Sequence, residues 1–114
     1  MRAIKFKAKD LDGIWVYGSY DSYNIAIIDD AGAKHYIEPE TICQYVGITD
    51  RNGNDIYEDD IIRTPRGSRG RVVFCDLSWM VMWEENPLYQ YLCYSIGRIE
   101  VTGNIHDSNH DYND

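Results

Sequence analysis

Apolar and polar side chains alternate with a period of two over the first third of the chain. Residues 4–9 predict a strand with one solvated face, because an apolar set alternates with a basic set: Ile4, Phe6 and Ala8 against Lys5, Lys7 and Lys9. Residues 14–17 are apolar on both faces, and Asp12-Gly13 before them is a hairpin-turn dipeptide. A strand at 25–28, a turn at 29–32 and a strand through 36–37 follow, and Pro39 ends the last of these.

The same period continues to the end of the chain. Residues 41–48, TICQYVGI, are rich in β-branched and aromatic side chains and predict another strand. Residues 72–75 predict a strand, and after them Trp79, Val81 and Trp83 alternate with Met80 and Met82, which predicts a buried strand. Residues 88–96 and 98–105 supply the last two strands. No amphipathic pattern extends beyond about three helical turns, so we expect a mainly β fold with at most a short helix.

Length and composition indicate one soluble globular domain. The chain has 114 residues, of which 44% are hydrophobic and 26% charged, and ten are Tyr. Tyr suits half-buried strands and interfaces, where the ring packs and the hydroxyl stays hydrated. The formal net charge of −8 opposes binding to a phosphate backbone and suits either solubility alone or a basic protein partner.

The cysteines and the opening residues bear on the compartment. Cys43, Cys75 and Cys93 are odd in number and form no Cys-x-x-Cys pair, so neither a disulfide framework nor a zinc knuckle is predicted. The first residues lack the apolar run of a signal peptide, and no stretch approaches the 18 apolar residues of a membrane span. We therefore expect a protein of the reducing cytoplasm with no membrane partner.

The stretch 44–62, QYVGITDRNGNDIYEDDII, concentrates acidic and amide side chains around one glycine. A calcium loop of the EF-hand type is excluded, because position 6 counted from Asp50 is Asp55 rather than Gly and position 12 is Ile61 rather than Glu. Asn52-Gly53 is a strong signal for a tight hairpin in which both residues tolerate positive φ. We predict a structural turn motif rather than a metal site, formed by Asp50, Asn52, Gly53, Glu58 and Asp60.

The string IEPETICQYVGITDRNGNDIYEDDII resembles the YopX family, small proteins encoded mainly by bacteriophages and prophages. The matching positions are Ile37, Pro39, Glu40, Thr41, Gln44, Tyr45, Gly47, Asp50, Asn52, Gly53, Ile56, Tyr57, Glu58, Asp60 and Ile61. IKFKAKD near the start and VTGNIHD at 101–107 are also similar to the family pattern. The usual Gly of the family's Y-E-G-D is Asp59 here, so a left-handed backbone at that bend would be strained or relaxed away.

The resemblance implies a small SH3-like or related β-barrel with additional hairpins. It also implies oligomers, and it carries over no catalytic residue, cofactor or metal. We therefore expect one β domain over residues 1–105, with the barrel core at 40–75 and a polar tail at 106–114.

Two other clusters are candidates for chemistry. Arg63, Arg66, Arg69 and Arg71 surround two glycines in a loop of the kind that grips phosphates, although a solvated loop is the plainer interpretation. In the tail, His106 and His110 are four residues apart beside Asp107 and Asp111, but Asp, Ser and Asn favour turns there and no third zinc ligand is identifiable.

No enzyme is predicted, because no nucleophile with a neighbouring base appears and the adjacent acids Asp59 and Asp60 point apart on an extended chain. Two functions stay open, beside a third, an enzyme or nucleotide-binding role that only the abundant acids support. The first is a phage or prophage accessory protein, acting as a homo-oligomer, that binds a bacterial host protein through an acidic, Tyr-rich surface. The alternative is a nucleic-acid-binding β-barrel that uses the arginine loop at 63–71.

Overall fold

The strands follow one another as the alternating patterns require. In a computed structural model, which describes residues 5–85, 89–92 and 97–107, the chain forms two compact units, Met1–Tyr45 and Val46–Asp114. The strands of the first unit are β1 (Phe6–Lys9), β2 (Trp15–Asp21), β3 (Ala26–Ile28) and β4 (Lys34–Tyr36). A single 3₁₀ turn, η1 (Pro39–Thr41), and β5 (Cys43–Thr49) follow, and β5 continues into the second unit. The second unit continues with β6 (Asp55–Tyr57), β7 (Asp60–Arg63), β8 (Arg69–Cys75), β9 (Ser78–Trp83), β10 (Tyr89–Tyr91) and β11 (Glu100–Asn104).

The first unit is an antiparallel sheet that curls back on itself. Its hydrogen-bonded order is β4-β3-β2-β1-β5, with Phe6 opposite Gly18 and Lys9 opposite Trp15 in the central pair. Beyond β4, Ile37 forms an isolated bridge with Asp10, and the Glu38 N–H donates to the Lys9 carbonyl at 2.9 Å. The core inside the curl is formed by Ala8, Ile27 and Ile37, with Phe6, Val16, Tyr20 and Ile42 packed against it.

One face of β1 differs from the prediction. Lys7 and Lys9, expected to be solvated, are only 8% and 9% exposed. The reason lies on the neighbouring strand, where the Trp15 ring covers both side chains: Lys7 Nζ lies 4.7 Å and Lys9 Nζ 5.5 Å from its centroid. A long basic side chain can bury its methylene stem in this way while its ammonium group lies against an aromatic face.

The second unit contains the larger core. The later residues of β5 pair with β6, and a five-stranded antiparallel sheet has the order β10-β9-β8-β7-β11. The buried cluster is Ile56, Ile62, Val72, Val81, Leu92 and Ile99. Trp79 and Trp83 pack against it from the face that Val81 shares, as the alternation predicted, while Met80 on the other face is also buried.

The mainly β prediction is confirmed, and η1 is the only complete helical turn in the described residues, with Leu92 also in a 3₁₀ conformation. The predicted strand at 41–48 is β5, and the predicted strand at 25–28 begins one residue later because Ile25 belongs to the preceding turn. Within the described residues no strand ladder closes either sheet into a barrel, so the SH3-like arrangement is not confirmed. The predicted core segment 40–75 extends over parts of both units, and the single-domain boundary at 105 stays a prediction. No helix of the described chain has the length and hydropathy to cross a membrane.

Candidate functional site

The turn at Asp50 is a hairpin, as predicted, but of a different type. The Asp50 N–H donates to the Asn54 carbonyl at 2.8 Å, and the Gly53 N–H donates to the Asp50 carbonyl at 3.1 Å. Gly53 has a φ of +84°, whereas Asn52 keeps a negative φ. The connection is therefore a three-residue loop that ends in a left-handed glycine, not a two-residue turn with both residues at positive φ.

The Asp50 carboxylate holds this loop from inside. Its Oδ1 accepts the N–H groups of Asn52 and Asn54 at 2.8 and 2.9 Å, and the residue is only 5% exposed. Its Oδ2 accepts the Val101 N–H at 2.9 Å. Burial by itself raises the pKa of the Asp50 carboxyl. The hydrogen bonds from the backbone N–H groups of Val101, Asn54 and Asn52 lower this pKa by more than burial raises it, so the pKa lies below its ordinary value.

The Asp50 turn also lies against the edge of the five-stranded sheet. β11 is the edge strand, and besides the Val101 N–H the turn satisfies the Ile99 carbonyl, which accepts the Arg51 N–H at 3.0 Å. Asn52 Nδ2 donates to Glu100 Oε2 at 3.3 Å. An unpaired strand edge is a site of unwanted pairing with other chains, and this turn covers it. The motif is therefore structural in a stronger sense than a local turn.

The same turn design recurs at three other hairpins. Asp10 and Asp29 accept the N–H groups two and four residues later on Oδ1, at 2.9 to 3.0 Å, and Thr64 accepts the Ser68 N–H on its hydroxyl at 3.1 Å. Each loop ends in a glycine at positive φ: Gly13, Gly32 and Gly67. Asp29 Oδ2 also contacts His35 Nε2 at 2.8 Å, and this bond lowers the pKa of Asp29. The shared spacing, Asp-x-x-Gly at Asp10, Asp29 and Asp50 and Thr-x-x-Gly at Thr64, is present in the sequence, but the sequence analysis did not identify it as a repeated turn.

The bend at Glu58–Asp60 encloses a buried polar pair. Asp60 is fully buried, with Oδ2 accepting the Tyr57 N–H at 2.8 Å and Oδ1 accepting from Asn104 Nδ2 at 2.9 Å. The same Asn104 nitrogen lies 3.4 Å from the Glu58 carbonyl oxygen. Asn104 was missed by the sequence reading, although it stands in the VTGNIHD segment that resembles the family. The Asp60 carboxylate and the Glu58 carbonyl therefore join β6 and β7 to the end of β11.

Asp59 keeps the left-handed backbone that the family's glycine would adopt, with a φ of +67°. Its N–H donates to the Val72 carbonyl at 2.8 Å, and its carbonyl accepts the Ile105 N–H at 3.1 Å. Its side chain adds what glycine lacks. Oδ1 accepts from Arg71 Nε and Nη2 at 3.1 and 2.8 Å, and Oδ2 lies 3.5 Å from His106 Nε2. The strained backbone at Asp59 is thus accompanied by an ion pair to Arg71 on β8.

The arginine loop is a hairpin between β7 and β8 whose basic groups are largely paired. Arg63 lies directly opposite Arg69, and Arg71 shares their face of the sheet by alternation. Arg69 Nη2 lies 3.2 Å from Glu84 Oε1, and Arg71 Nη2 lies 2.8 Å from Asp59 Oδ1. Arg66 is exposed in the turn itself. Of the two acids that pair with this loop, Asp59 belongs to the acidic stretch at 50–60, whereas Glu84 at the end of β9 was not anticipated.

The described residues include only the first two positions of the predicted tail, His106 and Asp107. His106 is half-buried, with its N–H donating to Asn104 Oδ1 at 2.9 Å, and Asp107 Oδ2 accepts the Asn104 N–H. His110 and Asp111 lie outside the described residues, so the predicted tail at 106–114 and its histidine pair are not tested.

The hairpin between β8 and β9 has an apolar tip that sequence patterns did not indicate. Cys75 pairs with Ser78, so Asp76 and Leu77 form a two-residue turn, with φ of +51° and +65°. Leu77 is 90% exposed and Phe74 53% exposed, and the Phe74 ring lies edge-on to Trp79 at 5.0 Å between centroids. A two-residue turn of this kind is normally built from Asn, Asp and Gly, so leucine there gives no turn signal.

Comparison with known families agrees with the motifs. A family model described as YopX protein matches residues 5–110, nearly the whole chain. No curated protein matches the chain.

Proposed function

The chain belongs to the YopX family, and we propose that it is a phage- or prophage-encoded accessory protein that acts without catalysis, in the host cytoplasm, by binding a basic surface of a bacterial host protein. The observation that carries the proposal is that the acidic side chains of the family motif make hydrogen bonds and ion pairs within the fold. Asp50 and Asp60 are buried and accept backbone and amide hydrogen bonds, and Asp59 pairs with Arg71. Carboxylates held in this way brace hairpins, which supports a structural rather than a catalytic role for the motif.

The surface supplies what a protein partner needs. Five tyrosines of the described residues are among the exposed large hydrophobic side chains: Tyr17, Tyr23, Tyr36, Tyr89 and Tyr91. Tyrosine supplies a large apolar contact with few rotamers to fix and is enriched at protein interfaces. The net charge of −8 favours encounter with a basic partner.

The same features argue against the nucleic-acid alternative. Arg69 and Arg71 each lie within ion-pair distance of an acid, so gripping a phosphate would require breaking those contacts. The acidic chain would also repel a polyanion at long range.

A pull-down from bacterial lysate, with and without nuclease treatment, tests the proposal. We expect a protein to be retained after nuclease treatment and to be released as salt is raised. Retention that disappears with nuclease would replace the proposal with its nucleic-acid alternative.

A further inference from the structure

We infer that Leu77, at the tip of the β8–β9 hairpin, is the apolar contact by which the chain enters a hydrophobic pocket with a basic rim on its partner protein. This inference rests on the proposed function and deepens it by assigning the contact residue. Its starting point is that Leu77 combines a left-handed backbone with 90% exposure, whereas Ile25, the other apolar residue at positive φ in the described residues, is 43% exposed.

The backbone at Leu77 is unfavourable for leucine. A left-handed conformation brings Cβ of an L-residue too close to the neighbouring carbonyl oxygen, and only Gly, Asn and Asp adopt it readily. Asp76, the first residue of the turn at φ +51°, belongs to the tolerated class, whereas Leu77 at φ +65° does not. Glycine at position 77 would relieve the strain.

In the part of the chain that the structure describes, no burial of the Leu77 side chain compensates for this strain. For a leucine in a core, burial of the side chain would offset the strain of a left-handed backbone, but Leu77 leaves nine-tenths of its surface in water. Asp59, by contrast, has a similar φ of +67° and directs its carboxylate to Arg71. The β8–β9 pairing dictates the left-handed backbone at position 77 but does not require leucine there, and strained residues cluster at ligand-binding sites.

The hairpin presents Leu77 in a fixed position. The β8–β9 ladder continues without interruption to the Cys75–Ser78 pair beside the turn. One position further back along the ladder, the half-exposed Phe74 is held by its edge-on contact with Trp79. The entropy cost of ordering this loop when a partner binds Leu77 is therefore small, which favours tight binding.

The charge beside Leu77 indicates the kind of partner. Asp76 is exposed next to it, and the chain carries a net charge of −8, so the rim of the receiving pocket must be basic. An anionic lipid surface would be repelled by the same charges, and a protein pocket is the occupant that the charges favour.

The experiment compares four forms of the full chain: the wild type, Leu77→Gly, Leu77→Ala and Leu11→Ala. Leu77→Gly removes the side chain and the strain together, whereas Leu77→Ala removes most of the side chain and keeps the strain. Leu11 is 65% exposed in the β1–β2 turn without a positive φ and supplies the matched control. The protein retained by the wild type from nuclease-treated lysate is identified, purified and titrated against each form by calorimetry.

We expect both Leu77 variants to bind at least about tenfold more weakly, the value for leaving one leucine unburied, and Leu11→Ala to bind like the wild type. Leu77→Gly should at the same time unfold at a higher temperature than the wild type. Weaker binding by a more stable protein cannot be ascribed to damage of the fold.

Other outcomes overturn the inference. If the purified partner binds Leu77→Gly as tightly as the wild type, the proposed function stands and the contact residue is wrong. If Leu77→Gly lowers the unfolding temperature, the side chain serves the fold. Sedimentation with vesicles of 3:1 phosphatidylethanolamine and phosphatidylglycerol that Leu77→Ala abolishes would replace the protein with a membrane. If the wild type retains no protein after nuclease treatment, the proposed function itself fails and the inference with it.

Discussion

Asp50 and Asp10 offer a direct measurement of what the family's turn motif contributes beyond its local geometry. Both carboxylates accept the N–H groups two and four residues later on one oxygen, at 2.8 to 2.9 Å. Asp50 alone of the two adds a bond to a distant strand, from the Val101 N–H at 2.9 Å, 51 positions away. Replacing each with alanine therefore removes the same two backbone bonds. Asp50→Ala also removes the distant bond and a long contact of 3.5 Å from Asn54 Nδ2.

The expected magnitudes follow from these contacts. Loss of a local side-chain acceptor for backbone N–H groups at a turn resembles loss of a helix cap, about 1 kcal/mol, and this is the expected cost of Asp10→Ala. At Asp50 the Val101 N–H is left without its acceptor at a position where the carboxylate is only 5% exposed, which adds about 1–3 kcal/mol. We expect Asp50→Ala to destabilise by about 2–4 kcal/mol, within the stability of an ordinary domain.

Urea unfolding at pH 7, followed by tryptophan fluorescence, measures the two losses. With a typical urea dependence for a chain of this size, an excess of about 2 kcal/mol moves the midpoint of Asp50→Ala about 1 M below that of Asp10→Ala. Equal midpoints for the two variants would refute the reasoning, since they would mean that the bond to β11 contributes nothing beyond the turn.

The pH dependence of the same difference supplies an independent check. The folded pKa of Asp50 lies below its unfolded value, because the three N–H bonds outweigh the effect of burial. A depressed folded pKa stabilises the native state above the unfolded pKa, about 3.9, and that contribution is lost as the pH falls through the lower folded value. The gap between wild type and Asp50→Ala should stay constant from about pH 5 to 8 and narrow below about pH 4. A gap that widened on acidification would contradict the assigned sign.

Three further predictions address the turn, the arginine loop and the assembly. Gly53→Val should destabilise the fold by about 1–2 kcal/mol. A Cβ at position 53 would meet nothing within 4 Å, so this cost comes from the φ of +84° alone. Gly53→Asn is the control, since Asn tolerates a positive φ, and an unchanged melting temperature for Gly53→Val would mean that the turn lies elsewhere. Fluorescence anisotropy with labelled single-stranded and duplex oligonucleotides should detect no binding at physiological salt, and sub-micromolar binding that vanishes when Arg63, Arg66, Arg69 and Arg71 are all replaced by Ala would promote the nucleic-acid function. Light scattering at micromolar concentration should give the mass of a symmetric homo-oligomer, with a dimer the commonest case; a strictly monomeric mass would contradict it.

Local physical chemistry was sufficient to predict the strands and most of the turns. Period-two alternation marks β1, β2, β8 and β9 because successive side chains of a strand point to opposite faces, and this holds whatever lies beside the strand. The hairpin turns also depend on local contacts. At the Asp50 turn, for example, the carboxylate accepts the N–H groups of Asn52 and Asn54, and only Gly53 adopts a positive φ. The motifs that identified the family are of this kind.

The tertiary structure decided what those local elements touch. Lys7 and Lys9 lost their solvated face to Trp15 on the adjacent strand, and the acids of the motif found partners far along the chain: Val101 for Asp50, Asn104 for Asp60 and Arg71 for Asp59. Each of these contacts depends on which strands become neighbours and in what register, and no periodicity within one segment encodes either. The exposed leucine turn is the opposite case. The pairing of Cys75 with Ser78 leaves Asp76 and Leu77 to make a turn that their own preferences would not predict, because the strands on both sides dictate it.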